Sequence, residues 1–340
     1  EDSSLVEEVT MAVNEAAQNA IEHAHDLAAT PVQMALTRSD FRAIESKEGF
    51  EIREGNSRVL FYQKNQKSLG GKYARADYVH PLYNLKGNII TEDFPEDHPH
   101  HRGIFWAWHQ ILIGEKPIAD GWSCENITWD VVETIPTIYA ETIHLDNEVL
   151  WKSVFKGDAP EAIVREYSQI KVHRKEDTYR LIDFDITIFA LADSMKIGGS
   201  DDAKGYSGFS LRFKLPADIR FLGSEKEVIA QELALTAGPW LDFAGSFDGL
   251  NNPESGVAVF SHPSNPGHPQ PWILRKEKSM QNPAFPGRVP IPLTKEGIRF
   301  QYRLVIHADE LKPNDIEKLY QAYGEEVETK KQKVERERCN

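Results

Sequence analysis

The densest run of chemically competent side chains in the sequence begins at Arg75-Ala-Asp-Tyr78-Val-His80-Pro-Leu-Tyr83. It continues through Glu92-Asp93-Phe-Pro-Glu-Asp97-His98-Pro-His100-His101-Arg102 to Trp106-Ala-Trp108-His109. Three histidines, an arginine and a proline fill the five positions 98–102, a composition with no common core-packing explanation. Imidazole exchanges protons near neutral pH, and an activated phenol can act beside it. His80, His100, His101 and Tyr78 are therefore the candidate catalytic groups. Guanidinium groups clamp carboxylates through paired hydrogen bonds, and indole and phenol rings offer flat faces of the kind sugars stack on. On that basis Arg75, Arg102, Arg212, Tyr83, Trp108, His262 and Trp272 are the candidate substrate contacts. Against this, tryptophans in an all-β protein usually serve the core.

The rival reading of the same histidines is a divalent metal centre. His98 and His100 are two residues apart, on one face of an extended segment, with carboxylates at Glu92, Asp93, Glu96 and Asp97. The spacing matches no specific zinc signature, and the prolines at 95 and 99 restrict the backbone, so the three imidazoles are not expected to converge on one ion. The expectation is a site without a cofactor. No glycine-rich phosphate loop, Gly-x-Ser-x-Gly elbow or His-Glu-x-x-His helix is present.

The elements that must position these groups are mostly strands. Ile182, Phe184, Ile186 and Ile188 alternate with polar residues, as do Phe209, Leu211, Phe213 and Leu215, and Phe300, Tyr302, Leu304 and Ile306. Each pattern describes a strand with one buried face. By the same alternation, His101, Phe105 and His109 share one face of a strand after Gly103, while Arg102, Trp106 and Trp108 take the other. Phe50 to Tyr62 reads as a hairpin turning at Gly55-Asn56. A helix is expected over 4–28, where Val6, Val9, Val13, Ala17, Ala20, Ala24 and Leu27 recur at helical spacing. A second helix is expected from Asn314, with Ile316, Leu319, Tyr320 and Tyr323 as its stripe. The fold class is all-β, a large antiparallel β-sandwich over residues 39–325, with a helical segment at 1–38 and a charged tail at 326–340. The proline-rich loop His262 to Trp272 is expected to share a cleft with residues 93–102.

The formal net charge of −14, from 53 acidic against 39 basic residues, leaves no electrostatic footprint for nucleic acid. Two cysteines, Cys124 and Cys339, make neither a disulfide framework nor a cysteine-type zinc site. No apolar run approaches a membrane span. The sequence begins at Glu1, which fits a removed signal peptide or a trimmed form.

Several segments together resemble the bacterial family labelled methane oxygenase PmoA. They are Tyr78-Val-His-Pro-Leu-Tyr83, Asp93-Phe-Pro-Glu-Asp-His-Pro-His-His-Arg-Gly103, Lys204-Gly-Tyr-Ser-Gly-Phe-Ser-Leu-Arg212, Gly238-Pro-Trp240, and His262-Pro-Ser-Asn-Pro266 through Pro271-Trp272. A subunit of the particulate methane enzyme would carry membrane spans, which this sequence lacks. The resemblance instead implies a periplasmic or secreted protein of polysaccharide-degrading bacteria, with a galactose mutarotase-like sandwich and an oligosaccharide substrate. The expected activity is β-elimination on uronic-acid-containing oligosaccharides by a lyase or dehydratase. The alternatives are a non-catalytic glycan-binding protein and a metal-dependent glycan hydrolase. A homodimer through the N-terminal helix is the expected assembly.

Overall fold

The computed structural model describes residues 39–248, 255–278, 280–309 and 311–338, the last with side chains through Glu326. The expected helix over 4–28, and any dimer built on it, lies outside the described residues. From residue 39 onward the chain forms one compact unit.

Two antiparallel sheets carry the core. In the six-stranded sheet the order is β1 (Phe41–Glu45), β2 (Gly49–Glu54), β3 (Ser57–Gln63), β6 (Tyr78–Leu82), β7 (Ile104–Trp108) and β15 (Ser207–Leu211). In the eight-stranded sheet it is β10 (Thr128–Ile138), β11 (Thr142–Ser153), β12 (Glu161–His173), β13 (Tyr179–Ala190), β22 (Ile298–His307), β18 (Gly256–Ser261), β17 (Trp240–Ala244) and β16 (Arg220–Leu222). A four-stranded sheet holds β21 (Ile291–Pro292), β14 (Met195–Gly198), β8 (Gln110–Ile113) and β9 (Lys116–Ala119). Two small ribbons pair β4 (Lys67–Leu69) with β5 (Lys72–Arg75), and β19 (Trp272–Ile273) with β20 (Asn282–Pro283).

The expected alternation places the core. Ile182, Phe184, Ile186 and Ile188 of β13 are buried, with the intervening side chains on the other face. Aromatic rings join the two large sheets: Trp106 meets Phe184, Phe209 stacks on Tyr302 at 4.3 Å, and Trp108 packs on Trp151 and Phe300. The all-β sandwich follows from this packing, because each sheet hides its apolar face against the other. The hairpin also forms as expected, with Glu54 opposite Ser57 and Gly55 in the left-handed region at φ +54°.

Several strands, β22 and β7 among them, are buried on both faces, contrary to simple alternation. On β22 the second face is covered by α1 (Pro313–Arg338), whose Ile316, Tyr320 and Tyr323 pack with Trp240, Phe260 and Val305. The expected helix stripe is therefore real. The helix itself runs on to Arg338 through the segment expected as a tail. On β7, Ile104, Trp106 and Trp108 enter the main core. Its alternate residues Phe105 and Ala107 join Tyr78, Trp122 and Met280 in a separate cluster on the outer face of the sheet. That outer face carries the histidines.

Candidate functional site

The segment that delivers the histidines is held by turns and by its neighbours. His98 N–H donates to Pro95 O, and His101 N–H donates to His98 O at 2.9 Å, so residues 95–101 form two successive tight turns rather than a strand. Glu92 N–H donates to Arg212 O, and Arg212 N–H donates to Gly103 O at 2.7 Å. These bonds fasten both ends of the loop to the chain leaving β15. Gly103 is required by contact: a Cβ there would lie 2.2 Å from Val79 O on β6.

The turns bring three imidazoles together. His98 stacks on His101 with ring centroids 4.7 Å apart, and His100 stands edge-on to His101 at 4.6 Å. Trp122 ties the shelf to β7. His101 is edge-on to its indole at 6.1 Å, Phe105 at 5.6 Å, and His109 stacks on it at 5.2 Å. His101, Phe105 and His109 thus share one face as the alternation predicts. Tyr206 meets the same indole at 5.6 Å, and its hydroxyl accepts a hydrogen bond from Arg275 Nη2 at 2.8 Å. Tyr73 faces His100 at 6.2 Å.

Two of the imidazoles are backed by carboxylates. His98 Nδ1 lies 2.6 Å from Asp97 Oδ2, and His109 Nδ1 lies 2.9 Å from Asp120 Oδ2. Each carboxylate fixes the Nδ1–H tautomer and leaves Nε2 with its lone pair free. Asp120 is itself set by a turn, in which its Oδ1 accepts the backbone N–H of Trp122 and of Ser123. Burial would raise both carboxyls. Hydrogen bonds from Arg212 and His98 outweigh it and hold Asp97 at about 2. His109 and the Ser123 backbone keep Asp120 below the usual carboxylate range.

His101 is different. Its Nδ1 faces Arg212 Nη1 at 3.4 Å, and a guanidinium can only donate, so Nδ1 is the acceptor and Nε2 carries the proton. Burial, with His100, His98 and Arg212 adding to it, pushes its pKa down to about 2, so the ring is neutral. It is a hydrogen-bond donor and not a base. Burial likewise lowers His100 and His80 to about 4. His80 lies 3.0 Å from Thr91 Oγ1.

The three arginines expected to clamp a carboxylate of the substrate are engaged with the protein. Arg212 is buried, donates to Asp97 at 2.7 and 3.0 Å, and gives its Nε–H to Glu92 at 2.7 Å. Arg102 is buried against the ring of Phe94 at 3.6 Å and donates to Pro99 O, His101 O and Tyr73 O. Arg75 lies over Trp129 at 3.9 Å and donates to Gly121 O. Each is a post beneath the shelf rather than a hand above it. Tyr78 donates to Asp93 at 3.3 Å, and burial drives its phenol well above the usual range, so it is no base.

The remaining expected contacts are drawn elsewhere. Trp108 and Trp272 are core residues whose indole N–H groups donate to Phe285 O and Gly238 O. Tyr83 lies beside Arg58 in a separate groove. His262 packs edge-on to Tyr323 of α1 at 5.0 Å, and His268 bonds Tyr320. The loop 262–272 therefore serves as a socket for the C-terminal helix. Trp122, Asp120, Tyr206 and Tyr73 were missed by sequence reasoning, and His109 was placed on the correct face without being given a role. Among the described residues, no three His, Cys, Asp or Glu side chains converge as ligands of one metal ion.

A groove of about 810 Å³ is lined in part by Arg212 and Asp97. Lys214, Lys276 and Lys278 line it, all exposed, alongside Glu92, Glu96 and Asp218.

Fold and site together define an all-β sandwich with a shelf of imidazoles on the outer face of its six-stranded sheet. Residues 50–321 match the family of unknown function DUF6807, and the chain belongs to that family. A comparison with curated proteins finds no match.

Proposed function

We propose that the histidine shelf is the catalytic centre of a carbohydrate-active lyase that performs β-elimination on uronic-acid-containing oligosaccharides. The observation that carries this reading is the pair of carboxylate-backed imidazoles, Asp97–His98 and Asp120–His109, on either side of the neutral His100 and His101. Elimination needs one group to take the proton α to the carboxylate and another to protonate the departing oxygen. His109, stacked on Trp122, takes the carbon-bound proton at Nε2. His98, more exposed at the mouth, takes up a proton from solvent at Nε2 and delivers it to the leaving saccharide. The electron pair of the broken C–H bond forms the new carbon–carbon double bond as the C–O bond breaks.

The carboxylate of the substrate gains negative charge as the proton leaves. His101 offers it the Nε2–H that Arg212 enforces. Tyr206 and Tyr73 provide ring faces at the rim. The adjoining groove has room for the rest of the chain. The choice of carbohydrate rests on these surfaces and on the family resemblance of the sequence.

The test is incubation with uronate-containing oligosaccharides, read by mass spectrometry and near-ultraviolet absorbance. The expected product carries a double bond conjugated to the carboxylate. His98→Ala and His109→Ala should each slow its formation by about 10²–10⁴-fold. A product that has gained water, or unchanged substrate across the panel, would refute elimination.

A further inference from the structure

Behind the shelf, in the main core, two carboxyl groups meet. Glu166 on β12 is 0% exposed, and its Oε2 accepts the indole N–H of Trp106 on β7 and of Trp151 on β11, both at 2.9 Å. Its Oε1 is buried and receives no hydrogen bond from any N–H or O–H donor. The carboxyl group of Asp77, 1% exposed, is within hydrogen-bonding reach. Asp77 Oδ1 already accepts the hydroxyl of Tyr62 on β3 at 2.8 Å. Two carboxylates cannot bond each other, so only a proton can join them, and Oε1 is the atom left to carry it.

The charge balance agrees. The titratable and charged groups facing the pair are Tyr62 from β3 and Arg75 from β5, besides the two carboxyls themselves. One guanidinium balances one carboxylate, and a second bare charge in the core would have no counterpart.

We infer that Glu166 is a protonated acid at neutral pH that donates to an ionised Asp77, forming a single-proton bolt between the two large sheets. Burial raises both groups, Asp77 to about 6 and Glu166 well above the ordinary range. The bolt joins residues that flank the site. Arg75 and Tyr78 stand on either side of Asp77, and Phe105 and Ala107, which lie on the shelf side, stand on either side of Trp106. Asp77 and Glu166 are thus positioning residues, holding the floor of the shelf against the core without reaching a ligand.

Because the folded pKa of Glu166 lies above its unfolded value, the folded chain holds one proton more than the unfolded chain. Its contribution is complete below about pH 4.3 and is lost as pH rises toward the folded value. Over that range the folding constant of the wild type should fall about tenfold per pH unit relative to Glu166→Gln, whose amide keeps an acceptor for the indoles and a donor for Asp77. Infrared spectroscopy of the wild type with ¹³C-labelled glutamate gives a second readout. Glu166 is the one buried glutamate among the described residues, so a protonated-glutamate carbonyl band should persist at pH 7.5. Absence of that band overturns the inference whether or not the variant folds. So does a folded Glu166→Gln variant whose stability follows the pH dependence of the wild type in parallel.

Discussion

Asp97→Asn tests the joint between the shelf and its supports. Asp97 accepts two bonds from Arg212 and one from His98, and the amide can satisfy only part of that set. Arg212 Nη1 and His98 Nδ1 already share Oδ2, so the amide nitrogen must face either that pair or Arg212 Nη2. The lowering of the Asp97 pKa to about 2 corresponds to roughly 2.5 kcal/mol at about 1.4 kcal/mol per pH unit. Solvent screening at this exposed residue reduces that to about 1 kcal/mol. The buried Arg212 keeps Glu92 but loses its paired contact, which adds about 1 kcal/mol. The expected loss is therefore about 2 kcal/mol at pH 7, read by urea denaturation. The folded pKa is depressed, so this stabilisation is present above about pH 3.9 and vanishes as pH falls toward 2, where variant and wild type should converge. Nitrogen-correlated NMR should show His98 fixed as the Nδ1–H tautomer in the wild type and mixed in the variant. A loss below about 0.5 kcal/mol, or a gap undiminished at pH 2, would refute the reasoning.

Two further outcomes follow from His101 and from Tyr323. His101 is buried neutral with a depressed pKa, so its contribution is complete above about pH 6.5 and shrinks as pH falls toward 2. His101→Gln should remove about 1.4 kcal/mol per pH unit of acid sensitivity below about pH 6, measured as the difference in urea midpoints; parallel curves would show that the ring is solvated. Tyr323 lies 4.3 Å from Arg303 and edge-on to His262, and Tyr323→Ala should cost about 3 kcal/mol. Amide exchange should accelerate first over residues 313–326, and unchanged protection there would mean that the helix is held by other contacts.

Much of the scaffold was legible because alternation is a local signal. Ile182 to Ile188 and Phe300 to Ile306 declared their buried faces, and the same rule placed His101, Phe105 and His109 together. Alternation could not say what covers the outer face of a strand. Arg212 follows Leu211 in a pattern that reads as solvated, yet it is buried because Glu92 and Asp97 arrive from more than a hundred residues away. Trp122 and Asp120 sit in a turn with no periodicity, so nothing in their spacing marked them as the centre of the shelf. Trp108 and Trp272 looked like sugar platforms by type alone, and only the packing shows them facing inward. The two proline-rich loops, similar in composition, divide their roles: one carries the imidazoles and the other seats α1.

The position of β22 bears on how the protein is made. This strand lies between β13 and β18 in the middle of the eight-stranded sheet, although it is the last strand in the sequence. During synthesis β13 emerges more than a hundred residues before its partner, and at ribosomal rates the wait is roughly ten seconds. Throughout that interval the inner edge of β13 presents unpaired backbone groups beside Ile182, Phe184 and Ile186. β16, β17 and β18 likewise have no route into the sheet until β22 arrives. The nascent chain is thus an open template for other strands until residue 307 has left the ribosome.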